Sequence, residues 1–225
     1  VFNGDFHWFD ADPEVFARVR AEGRGAVLLS AHLGNWELLG SACAALGHPL
    51  TVLVARQRNR RVDERVRAAR EAAGMRVLYT DGGLRPVLRA LQCGEFVAFL
   101  FDQDAGRGGE FAPFLGRPAS TPLGPFRFAR LAGCPIVMGL SVRRPDGSYT
   151  ADLPVLCLSR ELDAGEAERA ALREANRLLE AAVRRYPEQW FWMHRRWKTR
   201  PVAPAAPAGV GMGPGEGRHA DRELR

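Results

Sequence analysis

Short apolar runs alternate with amphipathic stretches along most of the chain. An apolar run of a few residues between turn signals indicates a buried strand. The clearest runs cover residues 26–30 and 96–101, where nearly every side chain is apolar. The pattern predicts six strands, at residues 26–30, 50–55, 75–79, 96–101, 135–142 and 149–158.

The stretches between these runs repeat apolar residues with a helical period. Asp12-Pro13-Glu14, for example, begins a capped amphipathic helix that ends at Gly23 to Gly25. Further helices are predicted at residues 36–46, 60–73, 84–93, 121–131 and 164–186. Because strands alternate with helices, we expect one α/β domain over residues 1–200, with a central, mostly parallel mixed sheet flanked by helices.

Two segments break this alternation. Residues 102–120 are rich in Gly and Pro, show no periodicity and directly follow a predicted strand. We interpret them as a long irregular loop, a feature that is often functional in compact domains. Residues 201–225 are rich in Pro, Gly and Ala and have little to bury, so we expect a disordered tail.

Composition and cysteine spacing narrow the class of protein. Of 225 residues, 46% are hydrophobic and 26% are charged, which is ordinary for a globular domain. No apolar run reaches the roughly 18 residues that a membrane-spanning helix needs. The chain opens with Val1 and not with Met, and it shows no signal-peptide pattern. The four cysteines lie far apart, which argues against a zinc site or a disulfide framework.

The net charge of +6 is concentrated in two basic zones. Residues 56–76 hold eight arginines and three acids, and residues 184–200 hold six basic residues and one acid. Such zones favour an anionic partner such as phosphate, a membrane surface or nucleic acid, although arginines on solvated helix faces give the same pattern. No nucleic-acid-binding motif accompanies them, so we expect no nucleic-acid partner.

The stretch His32-Leu33-Gly34-Asn35-Trp36-Glu37 carries the strongest chemical signal. It joins a predicted strand to a predicted helix, at the edge of the sheet where α/β proteins place their sites. A neutral imidazole at His32 can remove the proton of an attacking hydroxyl, and a carboxylate beside it fixes the tautomer. We therefore predict His32 as general base and Glu37 as the group that orients it. An ordinary loop histidine followed by a first-turn acid is the alternative.

Further candidates follow other predicted strands. Arg56 could bind a phosphate or remain a solvated arginine, and Asp102 could orient Arg56, bind an acceptor hydroxyl or simply end a strand. Thr121 precedes Pro122 and could equally be a helix N-cap. The predicted substrate-binding residues are Asn35, Arg56, Asp102, Gln103, Asp104, Thr121, Arg195 and Arg196.

Four stretches in order resemble one known family. HLGNWE resembles the His-x4-Asp/Glu signature of the bacterial lipid A biosynthesis acyltransferases, the lauroyl and myristoyl transferases of the lysophospholipid and glycerolipid acyltransferase superfamily. LTVLVARQRN resembles the second block of that family, in which an arginine follows a strand. The Asp-Gln-Asp loop within residues 99–130 and the final block EQWFWMHRRWKTRP are also similar. Leu115 departs from the family's common Phe-Phe-Gly pattern.

This resemblance implies an O-acyltransferase. The expected donor is an acyl-acyl carrier protein or acyl-CoA, and the expected acceptor is a hydroxyl of a lipid A precursor or related glycolipid. A phosphoinositide mannoside, lysophospholipid or aminoacyl lipid is an alternative acceptor. No metal or organic cofactor is implied. Family members act at the cytoplasmic face of the bacterial inner membrane, usually with a hydrophobic anchor upstream. Tryptophans beside Arg195 and Arg196 suit peripheral membrane contact.

Overall fold

A mixed β-sheet forms the centre of the fold. The structure is a computed structural model that describes residues 9–10, 12, 14–21, 23 and 25–201. The strands in chain order are β1 (Phe9–Asp10), β2 (Ala26–Ser30), β3 (Leu50–Val54), β4 (Met75–Tyr79), β5 (Phe96–Leu100), β6 (Glu110–Phe114), β7 (Arg117–Thr121), β8 (Ile136–Arg143), β9 (Tyr149–Asp152) and β10 (Val155–Leu156). The main sheet has the order β1-β9-β8-β2-β5-β3-β4, with β10 also paired to β8. β8 pairs antiparallel with β9 and β10, whereas the other neighbours in this sheet are parallel.

Six helices cover the two faces of this sheet in the described part of the chain. They are α1 (Glu14–Ala21), α2 (Trp36–Ala45), α3 (Arg60–Ala72), α4 (Arg85–Gln92), α5 (Gly124–Ala132) and α6 (Ala164–Arg185). Alternate residues of a strand point to opposite faces, so Leu28 packs with α1 and α2 whereas Leu29 packs with α4, α5 and α6. The predicted α/β architecture with a mostly parallel sheet and flanking helices is confirmed.

The register of the strands brings two loops together at the carboxyl edge of the sheet. Ser30 at the end of β2 lies opposite Leu100 at the end of β5. The loops that follow, which begin with Ala31 and Phe101, are therefore neighbours. β3 and β5 pair only as far as Val52 and Ala98 and then separate. This separation opens a gap in the sheet at the same edge.

Three expectations about local structure are corrected. The segment after β5 is not irregular throughout, because β6 and β7 form a two-stranded antiparallel hairpin within it. Thr121 is the last residue of β7 and not a helix N-cap, since α5 begins only at Gly124. The predicted strand at residues 149–158 is divided into β9 and β10.

The predicted tail lies outside the described residues, except for Pro201. Within the described ranges, no helix combines the length and the apolar character needed to cross a bilayer.

Candidate active site

His32 and Asp102 form a hydrogen-bonded pair at the carboxyl edge of the sheet. The Nδ1 atom of His32 lies 2.8 Å from Oδ1 of Asp102, and the backbone N–H of His32 donates to Oδ2 at 2.9 Å. The Asp102 carboxylate is almost completely buried, whereas the imidazole is 17% exposed. A carboxylate accepts hydrogen bonds, so this contact places the ring proton on Nδ1. The lone pair of Nε2 is then left available as a base.

The C-terminal segment completes the surroundings of Asp102. The indole N–H of Trp190 donates to Asp102 Oδ2 at 2.9 Å. Trp190 and Leu33 form an isolated antiparallel bridge, and the Phe191 N–H donates to the His32 carbonyl at 3.0 Å. Asp102 thus accepts three hydrogen bonds from two distant parts of the chain. These contacts fix the orientation of both Asp102 and His32.

Glu37 has a different partner from the one predicted. Its carboxylate receives a two-pronged hydrogen bond from the guanidinium of Arg70 on α3, with Nε donating to Oε2 at 3.1 Å. The prediction that Glu37 orients His32 is wrong. The group that contacts the Nδ1 atom of the His32 ring is the carboxylate of Asp102, which follows β5. Asn35 lies between His32 and Glu37 in the sequence. Its side-chain oxygen caps α2 by accepting a hydrogen bond from the Leu38 N–H at 3.0 Å. A catalytic role for Glu37 and a substrate contact for Asn35 stay predictions.

A cavity of about 630 Å³ opens beside His32. His32, Gln103, Glu37 and Arg70 supply polar groups to its lining, and the side-chain amide nitrogen of Gln103 lies 3.5 Å from Nε2 of His32. The remaining lining is mostly apolar and comes from both faces of the sheet through the gap between β3 and β5: Leu28, Leu39, Val52, Met75, Ala98 and Phe128. The site therefore joins a potential base to a deep apolar space.

Asp104 and Thr121 hold the C-terminal segment in place. Asp104 accepts hydrogen bonds from the backbone N–H and hydroxyl of Thr199, at 3.2 and 2.9 Å. Burial tends to raise the pKa of Asp104, but these hydrogen bonds and one from the Gly106 N–H lower it overall. Thr121 is fully buried and its hydroxyl accepts a hydrogen bond from Arg196. In this structure both residues make structural contacts, and the predicted substrate contacts stay predictions.

The two arginines of the C-terminal block lie in different environments. Arg196 is buried, donates to the Ser120 carbonyl and lies over the Phe114 ring, with 5.6 Å between the guanidinium carbon and the ring centroid. Burial lowers the pKa of its guanidinium. Arg195 is exposed. Of the pair, Arg195 is therefore the one that can meet a substrate or membrane surface in this conformation.

Arg56 lies away from the His32–Asp102 pair. Its Nε donates to Asp81 at 2.7 Å, and its guanidinium stacks 3.8 Å from the centroid of the Tyr79 ring. The proposed contact between Asp102 and Arg56 is wrong, because Asp102 is already occupied by His32 and Trp190. The Arg56 side chain is 59% exposed, and phosphate binding there stays a prediction.

Sequence reasoning missed two residues that contribute to the site. Arg70 belongs to a run of arginines on α3, and nothing in that run distinguishes the arginine that meets Glu37. Trp190 precedes a basic stretch, and its position there favoured a contact with the membrane. In the structure Trp190 is only 5% exposed, and its indole N–H donates to Asp102. The only signal in the sequence that linked Trp190 to the site was the resemblance of the C-terminal stretch EQWFWMHRRWKTRP to the family.

A histidine with a buried carboxylate partner thus lies beside a mostly apolar cavity, an arrangement suited to acid–base chemistry on a substrate with an apolar group. Residues 8–199 match the family model described as bacterial lipid A biosynthesis acyltransferase. The chain therefore belongs to the bacterial lipid A biosynthesis acyltransferase family.

Individual relatives agree with this assignment. The chain is 31% identical over 199 residues to the lipid A biosynthesis palmitoleoyltransferase of Escherichia coli K12, covering 87% of this chain and 63% of that protein. It is 37% identical over 122 residues to the lipid A biosynthesis lauroyltransferase of the same strain, covering 52% of this chain and 39% of that protein. A phosphatidylinositol mannoside acyltransferase of Mycolicibacterium smegmatis is 27% identical over 180 residues, covering 78% of this chain and 57% of that protein. The chain thus spans less than two thirds of the length of these relatives.

Proposed function

We propose that this chain is the catalytic domain of an O-acyltransferase that moves a fatty acyl chain from an acyl thioester to a hydroxyl of a lipid A precursor or related glycolipid. The observation that carries the proposal is the His32–Asp102 pair at the mouth of the apolar cavity. Family membership supports the reaction class, and the relatives named for lipid A biosynthesis support the acceptor class.

In the proposed reaction, Nε2 of His32 removes the proton of the acceptor hydroxyl as its oxygen attacks the thioester carbonyl carbon. Asp102 holds the ring in the required tautomer and stabilises the imidazolium that forms. The C–S bond then breaks, and the leaving thiolate takes the proton from the His32 imidazolium to depart as the thiol. The apolar cavity holds the acyl chain and keeps water from the carbonyl group.

The Glu37–Arg70 pair has a separate proposed role at the cavity. Arg70 is 18% exposed and Glu37 is 44% exposed, so a substrate can reach the pair. The carboxylate orients a guanidinium that is suited to bind a phosphate of the acceptor or of the carrier's phosphopantetheine group. Glu37 would then contribute to the reaction by positioning Arg70 and not by contacting His32.

A phosphatidylinositol mannoside is the second candidate acceptor. The specific support is the mycobacterial relative, which is named for that acceptor and matches 78% of this chain. The chemistry at His32 is the same for either acceptor, because both present a hydroxyl on a sugar-bearing lipid. An acyl carrier protein is the proposed donor, with acyl-CoA as the alternative.

The surface beside His32 supports peripheral contact with the membrane that contains the acceptor. Phe191, Trp192 and Met193 are 42%, 51% and 87% exposed. The Phe191 ring lies 5.9 Å from the His32 ring, between centroids, so this apolar surface borders the site. The exposed cations Arg195 and Lys198 follow it in the sequence and suit anionic headgroups. We propose the cytoplasmic face of the inner membrane as the location.

A transfer assay with radiolabelled acyl-acyl carrier protein and a lipid A precursor tests the reaction. We expect His32→Ala to reduce kcat by about 10²–10⁴-fold, the range for loss of a general base. His48→Ala is the matched control, because His48 lies near Phe16 and Phe96, away from the cavity. Wild-type turnover in His32→Ala would contradict the mechanism. Transfer to a phosphatidylinositol mannoside but not to a lipid A precursor would favour the second acceptor.

A further inference from the structure

The cavity beside His32 ends at a defined depth within the sheet. Leu28, Ala98 and Val52 lie opposite one another on neighbouring strands and line the cavity. Two residues earlier on the same strands, and so further from His32, Phe96 and Leu50 form the next pair on this face of the sheet. Both side chains are buried and belong to the core. The inner end of the cavity therefore lies between these two rows of side chains.

Gly40 and Met75 meet at this inner end. Gly40 lies on α2, one turn after Glu37, and Met75 is the first residue of β4. Both line the cavity, and Met75 is 4% exposed. A Cβ atom at Gly40 would lie 3.0 Å from Sδ of Met75 and 3.5 Å from a methyl carbon of Leu50. The absence of a side chain at Gly40 thus lets the flexible Met75 side chain pack directly against α2.

We propose that Gly40 and Met75 determine the longest acyl chain that the cavity accepts. The inference rests on the proposed function, in which the thioester carbonyl lies at His32 and the acyl chain extends inward. Leu28 lies four residues before His32 along β2 and the residues that follow it, which is a separation of about 13 Å at the rise per residue of a strand. An acyl chain whose methyl end reaches this depth must press against the Met75 side chain, which packs on Gly40.

The chemistry of the two residues explains why the limit falls here. When two substrates differ by one methylene group, an apolar pocket that fits only one of them discriminates between them by about tenfold or more. Methionine is unbranched and adapts its shape, so Met75 can shift for small differences in chain length. A methyl group on Gly40 is held by the helix backbone and cannot move away. The two positions therefore offer substitutions with opposite expected effects.

The test measures binding of saturated straight-chain fatty acids, in a series that lengthens by two carbons at each step. The readout is the ligand-induced rise in Tm of the full chain, which requires no turnover. Gly40→Ala adds a methyl group against Met75 and so narrows the inner end of the cavity. The substitution is compatible with a helix, since Ala has the higher helix propensity. Met75→Ala creates space. Gly165→Ala adds the same methyl group to α6, away from the cavity, and is the matched control.

We expect Gly40→Ala to shift the longest tightly bound chain toward shorter members, with about a tenfold loss of affinity at the wild-type limit. Met75→Ala should shift the limit toward longer members, and Gly165→Ala should leave it unchanged. An unchanged limit in both cavity variants, or a wild-type series without a length limit, overturns the inference. If the variants show these shifts in fatty-acid binding but the wild-type protein transfers no acyl group, the result counts against the proposed function and not against this inference.

Discussion

Two carboxylates border the same cavity and differ in almost every physical respect. Asp102 is 2% exposed in its side chain and accepts three hydrogen bonds from groups that the fold fixes. Glu37 is 44% exposed and is held by the single side chain of Arg70. A carboxylate held by backbone and ring donors keeps one orientation, whereas one held by a flexible guanidinium can move with it. Asp102 is therefore the hydrogen-bond partner of His32, and we propose that Glu37 acts by positioning Arg70.

The largest expected effect comes from Asp102→Asn. The amide can donate to Nδ1 of His32 and so favour the tautomer whose Nε2 carries the proton, which is unable to act as a base. We expect kcat for acyl transfer to fall by about 10²–10⁴-fold while the Tm changes little. Asp146→Asn, in an exposed turn where the carboxylate accepts hydrogen bonds from Ser148, is the control. Full activity in Asp102→Asn would remove the basis for ranking Asp102 above Glu37.

Trp190→Phe tests the same carboxylate from its other side. The substitution keeps an aromatic ring but removes the N–H that donates to Asp102 Oδ2. A hydrogen bond to a charged group contributes about 1.5–3 kcal/mol, so kcat should fall by about 10–100-fold. Trp192→Phe is the matched control, because the Trp192 indole donates to the Pro187 carbonyl and not to the site. Equal losses in both variants would show that packing, and not the Asp102 contact, is responsible.

Glu37→Gln should have a smaller effect. It removes the charge that pairs with Arg70 at a partly exposed position, where ion pairs contribute about 1 kcal/mol or less. We expect a rise in KM of a few-fold, with kcat nearly unchanged, in steady-state assays that vary the acceptor. Arg70→Gln removes the proposed phosphate-binding group itself and should raise KM at least as much, and the double variant should be no worse than Arg70→Gln alone. A kcat loss as large as that of Asp102→Asn would show that Glu37 takes part in the chemical step.

The smallest effect on activity is expected at Asp104, where the readout is stability against pH. The pKa of Asp104 is lowered from 3.8 in the folded protein. The wild-type carboxylate therefore stabilises the fold above that pH, and this contribution is lost as the pH falls through the lowered pKa. Asp104→Asn should reduce the Tm near neutral pH and lose its difference from wild type in strong acid. A difference that persists unchanged in acid would exclude an electrostatic origin.

The contrast between the two carboxylates also shows where sequence reasoning succeeded. Apolar runs and helical periodicity predicted most of the strands and helices, because burial imposes those periods on local sequence. The parallel arrangement also placed His32 and Asp102 at one edge of the sheet, since both directly follow strands. The β6–β7 hairpin was missed because its strands, which contain Pro113 and Pro118, lack a clear alternating pattern.

The sequence by itself determined the α/β fold class, the edge of the sheet that carries the site, and His32 as the candidate base. Only the tertiary structure decided which carboxylate meets that base. Glu37 is closer to His32 along the chain, but hydrogen bonds depend on distance and direction in space. The pairing of β2 with β5 brings Asp102 within 2.8 Å of His32, and α3 supplies Arg70 to Glu37. The depth of the cavity was likewise decided by the packing of α2 against β4, which brings Gly40 and Met75 together.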